Sequence, residues 1–401
     1  MKTVYVNKGL ADPLAFPTGN LRGALTELYE TNRYKILEED RLENHSIYVV
    51  DYKQFIDIEN YLPKAIHAEF QSFDDTHIYV MNDFGTDTEA LVKSIQVLYN
   101  LGFDVARIWI QVSFNYEKAE LESKLEVMGL PQANVFCYNL FLDMMYQNYI
   151  SSKVAIDNVK KTVVTNPKKF TMFTRRFEET RFDLFVTLLD KRLLHLFEYT
   201  FTNLHPELLP YPHILITKDE LKKFHKLKSV EKLGDIHQWI DGLPYHNGIS
   251  DLTDAFADSL YPTFMKGCVN VVIETNSNNV SKHNIFLTEK TWKPILMGKP
   301  FLFFGPSGGL EILKKEGFKT FEPFIDESYD QSVDSAPDKI IALTNEVKRL
   351  SMLSDAEFFN IMNSTAMEKI TKFNYKHLVK IANSNYSTSK KVFFDLFGIN
   401  I

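Results

Sequence analysis

The chain has 401 residues, more than one ordinary core accommodates, and suits two domains. Its composition, 45% hydrophobic and 24% charged, excludes a disordered chain, and no apolar run reaches the roughly 18 to 20 residues that span a bilayer. The net charge of −7 divides into −10 over residues 1–150, +6 over 151–232 and −3 over the remainder, so a basic middle sits in an acidic protein. That pattern points to a localised anionic ligand, with a solvated lysine face as the alternative.

The start, Met1 to Val6, leads into a strand and not a signal peptide, and a cytoplasmic protein without membrane contact is expected. Strands are expected at Thr3 to Asn7, Ser46 to Asp51 and His77 to Met81. An amphipathic helix at about 88–100 follows, then a strand at Ala106 to Val112, a helix at about 116–128 and a strand at Asn134 to Tyr138. This alternation indicates a parallel sheet with helices on both faces. Cys137 and Cys268 stand in apolar contexts and read as buried free thiols, without a disulfide or zinc site.

Residues 142–165 read as a connecting segment. A second α/β series begins with the strand 169–174, which runs into Arg175, Arg176 and Arg181. Next come a helix over 182–193 with Phe182, Phe185, Leu188, Leu189 and Leu193 at helical spacing, and a strand over 197–201. Between 203 and 268 the pattern is irregular, punctuated by Pro206, Pro210, Pro212 and Pro244. Alternation then resumes with a strand over 269–274, a helix over 288–297, a strand over 300–304 and a helix over 309–316. In the turn Gly305 to Gly309, Ser307 is the expected N-cap; that turn either approaches a phosphate or is a plain turn. From Asp338 onward the chain reads as mostly helical. The expected division is an N-terminal Rossmann-like domain over 1–160, a second over 161–375, and a final helix over 376–401 packing back on the first domain. Two such halves would face each other across a cleft, the default ligand site.

The most informative run is His283 to Pro294, with Thr288, Glu289 and Lys290 at an expected helix start. Such a triplet is also an ordinary cap followed by solvated first-turn residues. Glu274 closes the preceding apolar strand, and a polar loop containing Asn276 and Ser277 follows it. Carboxylates at strand ends, beside a polar loop and a helix N-terminus, belong where open sheets bind ligands. There glutamate accepts from a ribose diol, while lysine and the helix N-terminus neutralise phosphate.

Phe173-Thr174-Arg175-Arg176 with Arg181, Glu274 to Ser277, Leu287-Thr288-Glu289-Lys290 with Trp292, and Gly298 to Phe301 together resemble the donor domain of fucosyltransferase-like glycosyltransferases of GT-B architecture. The stretches 317–321 and 326–330 are similar to glycosyltransferase-like proteins of large tailed phages. The resemblance spans roughly residues 169–335. It implies that Arg175 or Arg176 and Lys290 hold a diphosphate, that Glu289 binds the ribose, and that Glu274, Asn276 and Ser277 contact the sugar. Thr275 is an insertion relative to the family pattern.

Inverting sugar transfer also needs a base for the acceptor hydroxyl. Asp12 and Asp83, in loops after the first and third expected strands, are the candidates, although each also suits a turn or a helix cap. With lysine, arginine and a helix N-terminus on the leaving diphosphate, no divalent metal is required, and no His-x-x-x-His pattern occurs. The donor is expected to be a UDP-sugar, with a GDP-sugar as the alternative. The expected acceptor is a hydroxymethylated pyrimidine of double-stranded phage DNA, which would place the protein in the host cytoplasm. The alternatives are the same chemistry on a glycan or protein acceptor, and a non-catalytic sugar-nucleotide-binding protein.

Overall fold

The structure is a computed structural model. It describes residues 3–7, 34–37, 46–51, 55–57, 76–81, 86–150, 167–174, 178–201, 238–240, 242, 264–274, 285, 287–331 and 335–397. Two compact units divide the chain: unit 1 comprises Met1–Gln147 and Lys380–Ile401, and unit 2 comprises Asn148–Val379. Each is an α/β unit built on a parallel sheet.

In unit 1 the strands are β1 (Thr3–Asn7), β2 (Tyr34–Leu37), β3 (Ser46–Asp51), β4 (His77–Met81), β5 (Ile108–Val112) and β6 (Asn134–Cys137), in the order β2-β1-β3-β4-β5-β6 and parallel throughout. Helix α1 (Thr88–Asn100) links β4 to β5, and α2 (Asn115–Val127) links β5 to β6. Leu91, Val92, Ile95 and Leu98 recur at helical spacing on α1 and are buried with Ile78, Val80, Ile108 and Ile110 of the sheet. Asp87 is the N-cap of α1, its carboxylate accepting from Glu89 N and Ala90 N at 3.1 Å. A short helix α3 (Leu140–Met145) continues into one π turn over Tyr146–Ile150. Strand β2 is not among the expected elements: it has four residues and stands at the sheet edge, followed by Glu38-Glu39-Asp40.

Unit 2 contains β7 (Lys168–Thr174), α4 (Glu179–Asp190), β8 (Phe197–Phe201), β9 (Gly267–Ile273), α5 (Glu289–Leu296), β10 (Phe301–Phe304), α6 (Gly309–Lys315), α7 (Ala336–Ser351) and α8 (Asp355–Met362). Its strand order is β10-β9-β7-β8, again all parallel. All seven residues of β9 are buried, as expected for an inner parallel strand covered on both faces. Lys169 of β7 is also buried; its ammonium donates to the carbonyls of Ser351, the last residue of α7, at 3.4 Å and of Leu353 just beyond it at 2.7 Å, and pairs with Asp355 at 3.2 Å. At the β10 edge the Phe303 N–H donates to the hydroxyl of Tyr329 at 3.1 Å, which satisfies a ladder group that no strand among the described residues covers.

The final helix, α9 (Thr365–Phe397), contributes to both units. Within unit 2, Asn374 exchanges hydrogen bonds with the backbone of Lys319 at 2.9 and 2.7 Å, and the His377 ring meets the Glu316 carbonyl at 2.6 Å. Within unit 1, Asn385 accepts from Asn139 N at 2.7 Å and donates to its carbonyl at 3.2 Å, and Tyr386 stacks on Tyr146 with centroids 4.5 Å apart. Among the described residues, no helix is long and apolar enough to cross a membrane. Both cysteines are free; Cys268 is buried, whereas Cys137 is only half-buried because it closes β6.

Candidate functional site

The strand order of unit 2 marks where a ligand belongs. From β7 the chain passes through α4 to β8 on one side, and it later returns to the other side as β9. Connections therefore diverge between the carboxyl ends of β7 and β9, which opens a crevice above the sheet. Thr174 stands at one of those ends and Glu274 at the other. Helix α4 enters beside them: Arg181, in its first turn and buried, pairs with Glu178 at 2.8 Å and donates from Nη2 to the Glu274 carbonyl at 3.4 Å.

Glu274 has no exposed surface. Its carboxylate accepts from the backbone N–H of Thr288 at 2.8 Å, the Thr288 hydroxyl at 2.6 Å and the Thr291 hydroxyl at 2.6 Å. A strand-end carboxylate thus occupies the first turn of α5, where unsatisfied N–H groups and the helix dipole favour negative charge. Thr288 is the N-cap, its hydroxyl accepting from Lys290 N at 3.3 Å. Below it, Trp292 is 1% exposed and packs on Phe318 with centroids 5.7 Å apart, which fixes the helix against the core.

Glu289 and Lys290 occupy the first turn of α5. Lys290 Nζ donates to Glu289 Oε1 at 2.9 Å and to Thr288 Oγ1 at 3.1 Å. Burial pushes the Glu289 carboxyl up, but the charges of Lys290 and Lys293, the hydrogen bond from Lys290 and a backbone N–H outweigh it and hold the pKa at about 2. Glu289 is therefore an ionised acceptor, and Lys290, half-buried, is a cation at the mouth of a helix N-terminus. The pair is suited to a ligand with vicinal hydroxyls and an anionic group.

The structure joins five of the sequence candidates, Arg181, Glu274, Thr288, Glu289 and Lys290, in one continuous set of hydrogen bonds. Asp12, Asp83, Arg175, Arg176, Asn276 and Ser277 lie outside the described residues. Glu274 serves the backbone and hydroxyls of α5, a role the resemblance does not assign to it. Thr291 belongs to the same set through Glu274, and Lys293 acts on Glu289 through its charge; neither is marked out by the sequence, where both read as ordinary helix residues, and their spacing from Glu289 and Thr288 is the available signal.

The Gly305–Gly309 turn after β10 is occupied from within the protein. Asp330 accepts from Leu310 N through Oδ2 at 2.7 Å and from Gly308 N through its carbonyl at 2.8 Å, while Lys339 Nζ donates to Asp330 Oδ1 at 2.8 Å and to the Gly305 carbonyl at 2.6 Å. The N-cap of α6 is Gly308, in the left-handed region at φ 87°, and not Ser307. The Gly308 and Leu310 N–H groups at the start of α6 are thus already taken by Asp330, as in a plain turn. Gly305 is a close approach: a Cβ there would lie 2.9 Å from Glu274 Cβ and 2.5 Å from the Phe303 ring.

A cavity of about 770 Å³ adjoins α6, lined by Ile285, Gly308, Lys314, Glu327 and Arg349 among others. None of Arg181, Glu274, Thr288, Glu289 or Lys290 lines it. The convergent charged groups and the start of α5 are at the switch point and not in this cavity. Among the described residues, no group of three or more His, Cys, Asp or Glu side chains is arranged to hold a metal.

In unit 1 the corresponding sheet edge carries Glu117, which is 1% exposed. Its carboxylate accepts from Thr86 N at 2.8 Å, Thr86 Oγ1 at 3.1 Å, Ser113 N at 3.0 Å and Phe114 N at 3.2 Å. Burial pushes its pKa up to about 7 against the lowering effect of those bonds. From the sequence Glu117 reads as a solvated first-turn acid; only its position three residues after Phe114, the N-cap of α2, hints at a capping role.

No family model matches the chain, and no curated protein matches it. Among solved structures it is similar to the N-terminal domain of a Candida albicans trehalose-6-phosphate phosphatase, at 11% identity over 95% of this chain and 80% of that one, with a TM-score of 0.37. That likeness is too slight to carry an argument about activity.

Proposed function

We propose that the chain is a GT-B-like, nucleotide-sugar-dependent glycosyltransferase. The observation that carries this reading is the Glu289–Lys290 pair at the start of α5, beside the switch point of a parallel sheet. Glu289 accepts from the ribose diol, and Lys290 with the helix N-terminus takes the diphosphate. In the transfer, an acceptor hydroxyl loses its proton to a base, Asp12 or Asp83, and its oxygen bonds to the anomeric carbon with inversion. The bond from that carbon to the diphosphate breaks, and the nucleoside diphosphate departs with the electron pair. Lys290 neutralises the charge developing on the leaving group, so the step requires no metal.

UDP-sugars are the favoured donors and GDP-sugars the second choice. The acceptor we propose is a hydroxymethylated pyrimidine in double-stranded DNA, on the support of the +6 charge over residues 151–232 and the resemblance to phage proteins. The test is incubation with UDP- and GDP-sugars, alone and with hydroxymethylated or plain duplex DNA, reading nucleoside diphosphate release and sugar incorporation. Release without acceptor and incorporation into hydroxymethylated DNA alone support the reading. No release with any donor overturns the transferase; release without incorporation into either DNA overturns the acceptor.

A further inference from the structure

The hydroxyl of Thr288 has its hydrogen-bond direction fixed by its neighbours. A threonine hydroxyl has one proton to give and two lone pairs with which to accept, and a lysine ammonium only donates. Thr288 Oγ1 accepts from Lys290 N at 3.3 Å and from Lys290 Nζ at 3.1 Å, which takes both lone pairs. Its own proton must then go to Glu274 Oε2, 2.6 Å away. The other oxygen, Oε1, accepts from Thr288 N at 2.8 Å and from the Thr291 hydroxyl at 2.6 Å. Oε2 of the fully buried Glu274 is therefore an acceptor towards Thr288, and Oε1 accepts from the Thr288 N–H.

We infer that Glu274 is a positioning residue: its carboxylate sets the direction of hydrogen bonding through Thr288 and so draws Lys290 across the first turn of α5 onto Glu289. The chain of charges runs from Glu274 through the Thr288 hydroxyl to the Lys290 ammonium and on to Glu289 Oε1. Glu289 needs the cation beside it, because a buried charge without a partner is costly. This gives Glu274 a different task from contacting a sugar: it presents two other side chains in a fixed relation. That the anion received there is a nucleoside diphosphate rests on the reading proposed above; the direction of the hydrogen bonds does not.

Replacement by glutamine keeps the size of Glu274 and reverses one bond. With Oε1 still accepting from Thr288 N and Thr291, the amide nitrogen of Glu274→Gln faces Thr288 Oγ1 and donates. Three donors then compete for two lone pairs, and Lys290 Nζ, the one on a flexible stem, gives way. Thr288→Val reaches the same end by removing the acceptor while leaving the backbone bond to Glu274. Thr288→Ser keeps the hydroxyl.

The experiment is a carboxyl 13C NMR titration of Glu289 in the full chain. In the native protein Glu289 is expected to titrate at about 2. Glu274→Gln and Thr288→Val are expected to raise that midpoint by about one pH unit or more, a tenfold or greater gain in proton affinity, as Lys290→Ala does when the cation is removed outright. Thr288→Ser retains the native value. Native titration of Glu289 in folded Glu274→Gln and Thr288→Val proteins overturns the inference, as does an unchanged value in Lys290→Ala. Should Glu274→Gln fail to fold, Thr288→Val decides alone. Calorimetry with UDP- and GDP-sugars is the separate arm: no binding by the native protein overturns the donor reading and leaves the titration result standing.

Discussion

Glu289 and Lys290 are adjacent in sequence and opposite in charge, and the low pKa of the first depends on the second. Two predictions belong at this scale. Lys290→Ala should lose turnover by roughly 10²- to 10³-fold, the usual effect of removing one group that stabilises developing charge. Because Lys290 is half-buried on the surface of α5, the variant should keep the native circular dichroism; native turnover with a folded protein would remove Lys290 from the site. The second concerns pH. Glu289 is depressed from an ordinary 4.5 to about 2, so it contributes stability that is present above pH 4.5 and lost as the pH falls through 2. Glu117 is raised from 4.5 to about 7, so its contribution has the opposite sense: it is complete below pH 4.5 and lost as the pH rises through 7. Each carboxyl contributes about 3 kcal/mol in its own window, since a tenfold change in proton affinity is worth roughly 1.4 kcal/mol. Chemical denaturation between pH 4.5 and 7 should therefore show unit 1 weakening as the pH rises, and Glu117→Gln, which does not titrate, should flatten that slope. An unchanged slope in the variant would assign it to another group.

At the scale of elements, what was legible in the sequence was whatever periodicity and caps encode. The strands of both parallel sheets other than β2, and helices α1, α2, α5 and α6, are visible as apolar runs and amphipathic repeats, and Thr288 is visible as a cap. The partners that those elements acquire in three dimensions were not visible. Glu274 lies fourteen residues before the backbone N–H it accepts from, and Asp330 twenty residues after the Leu310 N–H it accepts from. No local rule links such positions, since the sheet brings them together only after the strands have paired. The Asp330–Lys339 pair gives a prediction here. Both side chains are buried, at 3% and 1%, and together they fill the start of α6 and hold Gly305. Lys339→Ala leaves Asp330 with an uncompensated buried charge and should cost roughly 3 to 5 kcal/mol in denaturant unfolding. The double variant Asp330→Asn, Lys339→Met should recover part of that loss, because the neutral pair no longer strands a charge. A double variant as unstable as Lys339→Ala alone would show that the lysine stem, and not its charge, does the holding.

For the whole molecule, the two units carry separate sheets, and α9 supplies residues to each. The helix is 33 residues long, or about 50 Å at 1.5 Å per residue, far beyond the average, and its polar residues are placed to match. Asn374 meets the backbone of Lys319 in unit 2, whereas Asn385 meets the backbone of Asn139 in unit 1. Both asparagines are buried, and each exchanges two hydrogen bonds with one residue, so each acts as a side-chain substitute for a strand neighbour. Asn139 is itself the N-cap of α3, accepting from Leu142 N at 3.1 Å, so the Asn385 side chain anchors the chain where β6 gives way to α3. Asn385→Ala removes both bonds and leaves a buried N–H and carbonyl unmet, at roughly 1 to 3 kcal/mol for each orphaned group. The loss should be confined to unit 1. Native-state hydrogen exchange should accelerate over residues 134–147 and leave β7, β9 and β10 protected as before, while Asn374→Ala should do the reverse, loosening residues 316–321. Equal acceleration in both sheets from either variant would mean that the units unfold as one, and the assignment of the two halves of α9 to separate cores would then fail.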